Sequence, residues 1–542
     1  MSGLMSRSSL YRFFVSALSL LIALYPDLVY AQQAAPSIVV DNTTDPSAAA
    51  PSLDRTANGV EQVNIATPNG AGLSHNLFTE YNVEQKGLIL NNATAATQTQ
   101  LGGYVYANAN LKGSAAKVIL NEVTGQQTSQ MLGYTEVAGQ KANVVIANPN
   151  GITCNGCGFL NTARVTLASG HPELDASGAL SALTVTDGLV AFGSGGGNFT
   201  AVPLLDIFSR RIVLDGQVNA QTVQMAAGRN RIDYSSGTVH SLSPDGSQAP
   251  EYAIDSSAFG GMYAGRISML VNEAGAGVRV DGQMAANAGD MTLTTDGQLL
   301  LNGAMTSVGN VSIQSSDIQN TGSLQASGSA SIAAQRQIET SGQMTAGTTL
   351  SVSGVGLHNT GHIRADGTDG AHFALSGTLD NAGTVSATTG SLGIAGQQIT
   401  NEANAQLLAQ TGLTVTSVTD ILNNGAISTN SGPAVVTAGG DITQNNGTLA
   451  TAGGDMSVAA ATLLNASGSI ISASQDTTIH ANGVVNDGTV SSSGNANLYV
   501  VNHLETSGTI QSNDALFIQS SSLSNSGVIY GETNVALNID QQ

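Results

Sequence analysis

Two cysteines three positions apart are the most reactive side chains in this sequence of 542 residues. Cys154 and Cys157 form the stretch Cys-Asn-Gly-Cys, and the sequence holds no other cysteine. Such a pair could form a local disulfide, act as a redox-active dithiol or supply half of a zinc site. Zinc needs two more ligands, and a reactive dithiol usually needs a helix N-terminus that lowers a thiol pKa. The pattern therefore favours a structural disulfide, with free thiols, redox chemistry and metal binding as alternatives.

Other residues capable of chemistry are scattered. The eight histidines are spread along the chain, and His358 and His362 flank one glycine corner, where a solvated pair is a better interpretation than a metal site. The sequence contains no G-x-S-x-G, H-E-x-x-H or phosphate-loop pattern. We therefore predict no catalytic residue, no metal site and no cofactor, and we expect that the chain is not an enzyme.

The cysteines follow a tight turn. Asn148-Pro-Asn-Gly-Ile152 combines a proline that fixes φ with a glycine that can adopt positive φ. The β-branched runs 142–147 and 163–167 on either side predict strands, so the whole stretch indicates a strand, an elaborate turn and a further strand.

This turn resembles one of two Asn-Pro-Asn signatures in two-partner-secretion exoproteins of the filamentous haemagglutinin and haemolysin-like family. The other signature is altered here, because Ala109 stands where the family has proline in Asn108-Ala-Asn-Leu111. Further blocks resemble the family in the family order, and they lie at 72–76, 81–83, 86–92, 116–124 and 228–234.

The resemblance implies a secretion domain that the periplasmic domains of a partner outer-membrane transporter recognise, after Sec export in a Gram-negative bacterium. It also implies that the secretion domain is a β-helix with an N-terminal cap. The residues expected to carry recognition are those of the two turns: Asn108, Asn110, Leu111, Asn148, Pro149, Asn150, Gly151 and Ile152. The alternative is that these turns are needed only for folding.

The N-terminus and the charge distribution agree with export. Arg7 and Arg12 precede an apolar run that ends before a small-residue cleavage site, which predicts a signal peptide over 1–31. No later segment has the pattern of a membrane span. The net charge is −21, and residues 365–542 contain no lysine or arginine. A surface without cations cannot neutralise phosphates, so nucleic acid and anionic lipid are not expected partners.

A repeat begins near residue 270. Its core reads apolar, any, Asn or Ser, any, Gly, any, apolar, and its reference glycines recur every 19 to 22 residues from Gly282 to Gly527, with Asn404 in place of one. This substitution indicates a shared left-handed corner. Short strands with Gly or Asn corners at this period predict an all-β fold, a right-handed parallel β-helix whose stacked rungs share one core.

Four segments follow from these observations: a signal peptide at 1–31, a flexible lead at 32–58, a secretion domain at 59–270 and β-helical repeats at 271–542. The last strand pattern, near Val535, has no polar cap, which indicates a short family member or a truncated form of a longer exoprotein. We expect a secreted or surface-exposed adhesin with an unidentified cell-surface receptor. The alternatives are the export-and-stalk portion of a contact-dependent growth inhibition toxin or of a haemolysin, and, remotely, a polysaccharide-active enzyme.

Overall fold

The structure is a computed structural model that describes residues 38–43 and 50–541. The predicted signal peptide lies outside these residues. The described chain is all-β apart from one short 3-10 turn, Ala109–Leu111, and it winds into a parallel β-helix of about 20 turns. The predicted fold class is therefore confirmed.

The first part of the solenoid has rungs of irregular length. Its strands pair in parallel with the strands one turn earlier and one turn later, as in Ala142–Ala147, which lies between Val118–Val123 and Thr162–Ala168. The other strands of this part are Glu61–Asn64, Leu73–Glu80, Leu88–Asn92, Ser129–Met131, Tyr134–Gly139, Ile152–Cys154, Cys157–Leu160, Leu189–Phe192, Gly197–Phe199, Leu204–Ser209, Arg211–Leu214, Gln217–Ala227, Tyr252–Ser256 and Gly261–Val271.

The repeats form three parallel sheets, because each rung of about 20 residues contributes three short strands. The first sheet contains Gly277–Val280, Gln298–Leu301, Asp317–Asn320, Gln337–Thr340, Gly356–Asn359, Thr378–Asn381, Gln398–Asn401, Ile421–Asn423 and Ile442–Gln444. The second contains Gln283–Ala286, Ala304–Ser307, Ser323–Ala326, Gln343–Ala346, His362–Ala365, Thr384–Ala387, Gln406–Ala409, Ala426–Thr429, Thr448–Thr451, Ile470–Ala473, Thr489–Ser492, Thr509–Ser512 and Val528–Gly531.

The third sheet merges with the first towards the end of the chain. Its separate strands are Met291–Thr295, Val311–Ser315, Ala330–Ala334, Thr349–Gly354, Gly370–Leu375, Ser391–Gly396, Gly412–Ser417 and Ala434–Ala438. In the last rungs one long strand serves both sheets, as in Met456–Asn465, Thr477–Asn486, Ala496–Thr506 and Ala515–Asn525, and the final strand is Asn534–Gln541.

Side chains alternate between the inside and the outside of the coil, as the period of two in a strand requires. In Met291–Thr295 the first, third and fifth residues are buried, and the two between them are not. The inward residues of successive rungs join one hydrophobic cluster that extends from Ile38 to Ile518. Each fully buried leucine, isoleucine or valine stabilises the coil by about 1.5–3 kcal/mol, which offsets the entropy of ordering its rung.

The reference glycines are required because a side chain would not fit at these corners, not because the backbone is left-handed there. A Cβ on Gly342 would lie 2.1 Å from the carbonyl oxygen of Gly322 one rung earlier, and Gly361 and Gly508 are crowded in the same way. Their φ values are not in the left-handed region, whereas those of Asn404 (+67°) and Gly468 (+83°) are. The expected left-handed corner is therefore wrong for most rungs, because these two residues belong to wider turns that contain two additional residues.

Buried asparagines connect successive rungs beneath those corners. Asn359 donates to Asn381 (2.7 Å), Asn381 to Asn401 (2.8 Å) and Asn401 to Asn423 (2.8 Å), all through side-chain amides at 0% exposure. Shorter runs of the same kind join Asn320 to Thr340 and Asn465 to Asn486 and Thr506. The linked amides of Asn359, Asn381 and Asn401 satisfy one another, so this column adds to stability, whereas the Oδ1 atoms of Asn320 and Asn465 are buried without a hydrogen-bond partner.

Four antiparallel additions are attached to the N-terminal part. Val39–Val40 pairs with Leu73–Glu80, and Ser52–Arg55 pairs with Glu61–Asn64. The described parts of the segment 32–58 thus contain strands, which differs from the expected flexible lead. A small hairpin joins Thr97–Gln98 to Tyr104–Val105, and a four-stranded sheet contains His171–Leu174, Leu180–Val185, Asn230–Asp233 and Val239–Ser241. This sheet packs on the solenoid through a second hydrophobic cluster, which includes Leu183, Phe208 and Ile232.

Candidate partner-recognition site

The second asparagine turn ties three rungs together. Asn148 is fully buried, and its amide nitrogen donates to the carbonyl oxygen of Gln127 (2.9 Å) and to the hydroxyl of Ser129 (3.0 Å). Its backbone N–H donates to Ala168 (2.9 Å) on the following rung, and its Oδ1 accepts from the backbone N–H of Asn150 (3.0 Å). A transporter could not touch Asn148 in the folded domain.

The rest of this turn is more open. Asn150 is exposed and donates to the carbonyl oxygen of Gly125 (2.8 Å), and Pro149 is half-buried. Gly151 adopts a φ of +111°, and a Cβ there would lie 2.6 Å from the carbonyl oxygen of Leu189. Ile152 is 1% exposed and belongs to the core. Gly151 and Ile152 thus shape and anchor the turn, while Pro149 and Asn150 present its surface.

The first turn is built in the same way without the proline. Asn108 is buried, donates to the carbonyl oxygens of Ile65 and Asn91 (both 3.0 Å) and caps the 3-10 turn by accepting from the N–H of Asn110 (3.0 Å). Asn110 donates to Ile65 (3.3 Å), and Leu111 lies in the core at 1% exposure. The exposed Ala109 occupies the position of the expected proline, so an alanine is compatible with the turn.

The two turns lie at different corners of the coil. The first connects Leu88–Asn92 to Val118–Val123, and the second connects Ala142–Ala147 to Ile152–Cys154. Each adjoins a groove, of about 260 Å³ beside the first turn and about 520 Å³ beside the second. The first groove is lined by the exposed rings of Tyr104 and Tyr106, which contact edge to face with centroids 5.9 Å apart. The second is lined by two arginines, Arg210 and Arg211.

Arg210 is fixed by its carboxylate neighbours. Its guanidinium lies 2.7 Å from Glu273 and 3.8 Å from Asp187, and the hydrogen bond to Glu273 is the main reason why the pKa of Arg210 is raised. Arg211 is half exposed and lies 3.5 Å from Asp255. This groove therefore offers a partner both a cation and hydrogen-bonding amides.

The structure joins Cys154 and Cys157 in a disulfide, and both side chains are fully buried. The bridge packs against Gly197, where a Cβ would lie 3.1 Å from the sulfur of Cys154. Phe159, Phe192 and Phe199 form an aromatic cluster nearby. The bridge thus fixes the loop after the second turn inside the core.

One buried ion pair was not foreseen from the sequence. Arg164 lies 2.5 Å from Asp206, which has 0% exposure, and its guanidinium also lies over the ring of Tyr234. Burial raises the pKa of Asp206, and Arg164 opposes that change. The pair helps to attach the four-stranded sheet to the solenoid. The block at 228–234, in which Tyr234 lies, was the available signal for it.

One histidine on the repeats lies beside a carboxylate. His358 lies 2.8 Å from Asp380, and both side chains are largely exposed.

Within residues 38–43 and 50–541, no helix has the length and apolarity needed to cross a bilayer.

Together these features define a class: a parallel β-helix with antiparallel strands at its N-terminal part and regular repeats after it. The family model described as the TPS secretion domain matches residues 37–301, and this part of the chain belongs to that family. The matched range is wider than the predicted domain at 59–270, and the boundaries within the chain stay a prediction.

Curated relatives share this region. The 16S rRNA endonuclease CdiA of Enterobacter cloacae is 43% identical over 333 residues, 61% of this chain and 10% of that protein. A tRNA nuclease CdiA of Escherichia coli is 46% identical over 272 residues, 50% of this chain and 8% of that protein. A solved filamentous haemagglutinin secretion domain matches with a TM-score of 0.45 and 26% identity, covering 67% of this chain and all of that domain.

The chain spans about a tenth of the length of the relatives it matches. A TPS secretion domain implies an outer-membrane transporter as partner and export to the surface of a Gram-negative cell or into the medium. Residues 37–301 therefore carry the type of secretion domain that two-partner-secretion exoproteins have.

Proposed function

We propose that this exoprotein is an adhesin that reaches the periplasm through Sec and stands on the cell surface as a rigid β-helical rod. One observation carries the proposal: the secretion domain and the repeats share one uninterrupted core and one ladder of parallel strands. Such a coil needs no further domain to be stiff, because every rung is held by the rungs on both sides. The rod holds its flanks away from the membrane for contact with another surface.

The exposed residues of the two turns provide the transporter contact in this proposal. Asn150, Pro149 and Asn110 are accessible, whereas Asn108, Leu111, Asn148, Gly151 and Ile152 act by folding the corners or become accessible only while the chain is unfolded. We further propose that the described part of the chain has no catalytic role and does not bind nucleic acid. This fits the acidic repeats, which lack lysine and arginine after Arg364.

Cell binding by the displayed chain tests the adhesin proposal. Cells that produce the full chain and a two-partner-secretion transporter should aggregate, or adhere to epithelial cells or red cells, without lysing them. Cells that produce the chain without the transporter are the control. Surface display without adherence to any of these cells would contradict the proposal.

A second function is favoured by the relatives, whose names identify them as CdiA toxins or nucleases. In that case the chain is the export-and-stalk portion of a contact-dependent growth inhibition system. Co-culture distinguishes the two, because a toxin stalk with its toxin attached reduces the viable count of target cells, and an adhesin aggregates them without killing. Lysis of red cells would instead indicate a haemolysin.

A further inference from the structure

Near the end of the solenoid, aromatic rings stack on the outside of successive rungs. His480 and Tyr499 pair across neighbouring strands, and their rings are nearly parallel, with centroids 4.8 Å apart and an interplanar angle of 9°. Phe517 continues the contact on the next rung, 5.6 Å from Tyr499. The Phe517 ring is tilted by 51° against Tyr499, so only His480 and Tyr499 stack face to face.

The stack ends abruptly at Ala459. Ala459 lies on the rung before His480 and pairs with it across the two strands. Its methyl group therefore occupies the position where another ring could stack on His480. An open groove of about 450 Å³ lies here, with Ala438, Ala459 and Ala460 among its small residues. His480 and Tyr499 also line it, and the face of the His480 ring towards Ala459 is not covered by another ring.

The lining of this groove is uncharged apart from the titratable His480. It contains no aspartate, glutamate, lysine or arginine. Asn482 and Gln519 are exposed at its sides, and within the described chain their side-chain amides have no hydrogen-bond partner. Val501 is 63% exposed and Tyr499 37% exposed, so apolar surface and free amides lie together.

From this combination we propose that the groove binds an uncharged saccharide, with one pyranose ring inserted over Ala459 and stacked on His480. A sugar ring has a C–H face that suits the face of an aromatic ring, and hydroxyl groups that suit amides able to donate and accept. The proposal names the ligand class of the adhesin and rests on that proposed function.

Charge and backbone pairing argue against acidic polymers and against a peptide added as a strand. Residues 365–542 hold no lysine or arginine, so the groove lacks the cations that nucleic acids or sulfated and sialylated glycans require. An extended peptide would need a free strand edge. The strands here have none, because Met456–Asn465 and Thr477–Asn486 are paired with the rungs on both sides.

The test uses the secreted full chain on an array of oligosaccharides with neutral hexose or N-acetylhexosamine ends, printed beside sialylated and sulfated forms of the same cores. We expect signal on one or more neutral structures and a weaker signal on their acidic counterparts. Absence of binding to every neutral structure, or preference for the acidic forms, would overturn the inference. Cell adherence is measured in parallel to distinguish the adhesin proposal from the saccharide site. If the cells adhere but the chain binds no saccharide on the array, only the saccharide site is refuted.

Two variants locate the site. Tyr499→Ala removes the support behind His480, and Ala459→Phe fills the slot without removing any group. Each should weaken binding at least about tenfold, whereas Tyr530→Ala, an exposed tyrosine on another sheet, should not. Ala374→Phe is the matched control, because Ala374 is exposed in the same column four rungs earlier.

Unchanged binding by Ala459→Phe, or an equal loss in Ala374→Phe, would place the saccharide elsewhere and overturn the inference. Circular dichroism and yield of the secreted chain check that each variant folds. A variant that misfolds is replaced by Ala459→Leu, which fills the same slot with a smaller side chain.

Discussion

At the scale of single residues, the two asparagines of the second turn have different roles. Asn148 is buried and donates to a carbonyl oxygen and a hydroxyl on another rung, whereas Asn150 is exposed and its amide donates to the carbonyl oxygen of Gly125 and to the Oδ1 of Asn148. Folding and partner recognition can therefore be separated by substituting one asparagine at a time.

Asn148→Ala should lower the free energy of unfolding of the secretion domain by about 1–3 kcal/mol, because the carbonyl of Gln127 and the hydroxyl of Ser129 lose a buried partner. Asn150→Ala should cost less than about 1 kcal/mol and yet reduce secretion if the transporter reads this residue. Urea unfolding of the purified chain and quantitation of secreted chain measure the two effects. Asn198→Ala, at an exposed asparagine in the strand Gly197–Phe199, is the control. Normal secretion of Asn150→Ala would refute direct recognition through its side chain.

Asp41 holds the N-terminal strand by accepting hydrogen bonds from the Thr124 hydroxyl (2.6 Å) and from the N–H and hydroxyl of Thr43 (2.9 and 2.6 Å). These hydrogen bonds lower the pKa of Asp41, and the one from Thr124 has the largest effect. A carboxyl group whose pKa is lower in the folded state stabilises the fold fully when the pH is above its unfolded-state pKa, which is near 4. This stabilisation is lost as the pH falls through the folded-state pKa.

Hydrogen exchange in Val39–Val40 should therefore accelerate below about pH 4, beyond the intrinsic change of exchange rate with pH. Asp41→Asn keeps an acceptor oxygen but cannot titrate, so its protection should not depend on pH in this way. Equal pH dependence in both proteins would show that another group controls this strand.

Residue-level predictions from the sequence succeeded where one local rule acts. The repeat spacing locates each corner to within a residue or two, and the buried position two residues before the glycine is the asparagine of the ladder, as in Asn359 before Gly361. The conformation of the corner was not predictable, because the need for glycine arises from the backbone of the rung before it. That contact joins residues about 20 positions apart and leaves no local signal.

At the scale of elements, the corners are the most crowded part of each rung. Gly342→Ala should destabilise its rung by about 1–3 kcal/mol, because the added Cβ meets the carbonyl of Gly322 at 2.1 Å and this backbone cannot move away without disturbing its own rung. Gly412→Ala is the matched control, since the nearest atom there is 3.9 Å away. Hydrogen exchange of the neighbouring strands measures both, and equal effects would contradict the steric explanation.

The asparagine ladder should stabilise several rungs together. Asn381→Ala removes the links to Asn359 and Asn401 and leaves a buried donor and acceptor unpaired, so it should cost about 2–3 kcal/mol. Asn430→Ala, at an exposed asparagine, should cost less than about 0.5 kcal/mol. Hydrogen exchange over residues 356–401 should show loss of protection on both adjacent rungs. A loss confined to one rung would indicate that the ladder is not cooperative.

Elements outside the coil could not be derived from periodicity. The antiparallel sheet that includes Leu180–Val185 and Asn230–Asp233 joins segments separated by five strands of the solenoid. Its strands look like solenoid strands in the sequence, because both kinds alternate apolar and polar residues. The strand Ser52–Arg55 was missed because its residues are largely polar and exposed, and only pairing with Glu61–Asn64 orders them.

At the scale of the whole molecule, the parallel ladder gives the chain a direction of growth. Each rung needs the preceding rung as a template, and nearly all its contacts are with its two neighbours. The N-terminal end is closed by antiparallel strands, so folding can begin there and add rungs as the chain emerges from a transporter. This order suits a protein that must cross the outer membrane before it folds completely.

Transporter-dependent export tests the central claim most directly. The measurement is the fraction of full chain that added protease can digest on intact cells, with and without a two-partner-secretion transporter, while a periplasmic marker stays protected. The account predicts that surface chain requires the transporter and that chain accumulates inside cells that lack it. Equal surface exposure in both strains would contradict the claim that residues 37–301 serve as a secretion domain.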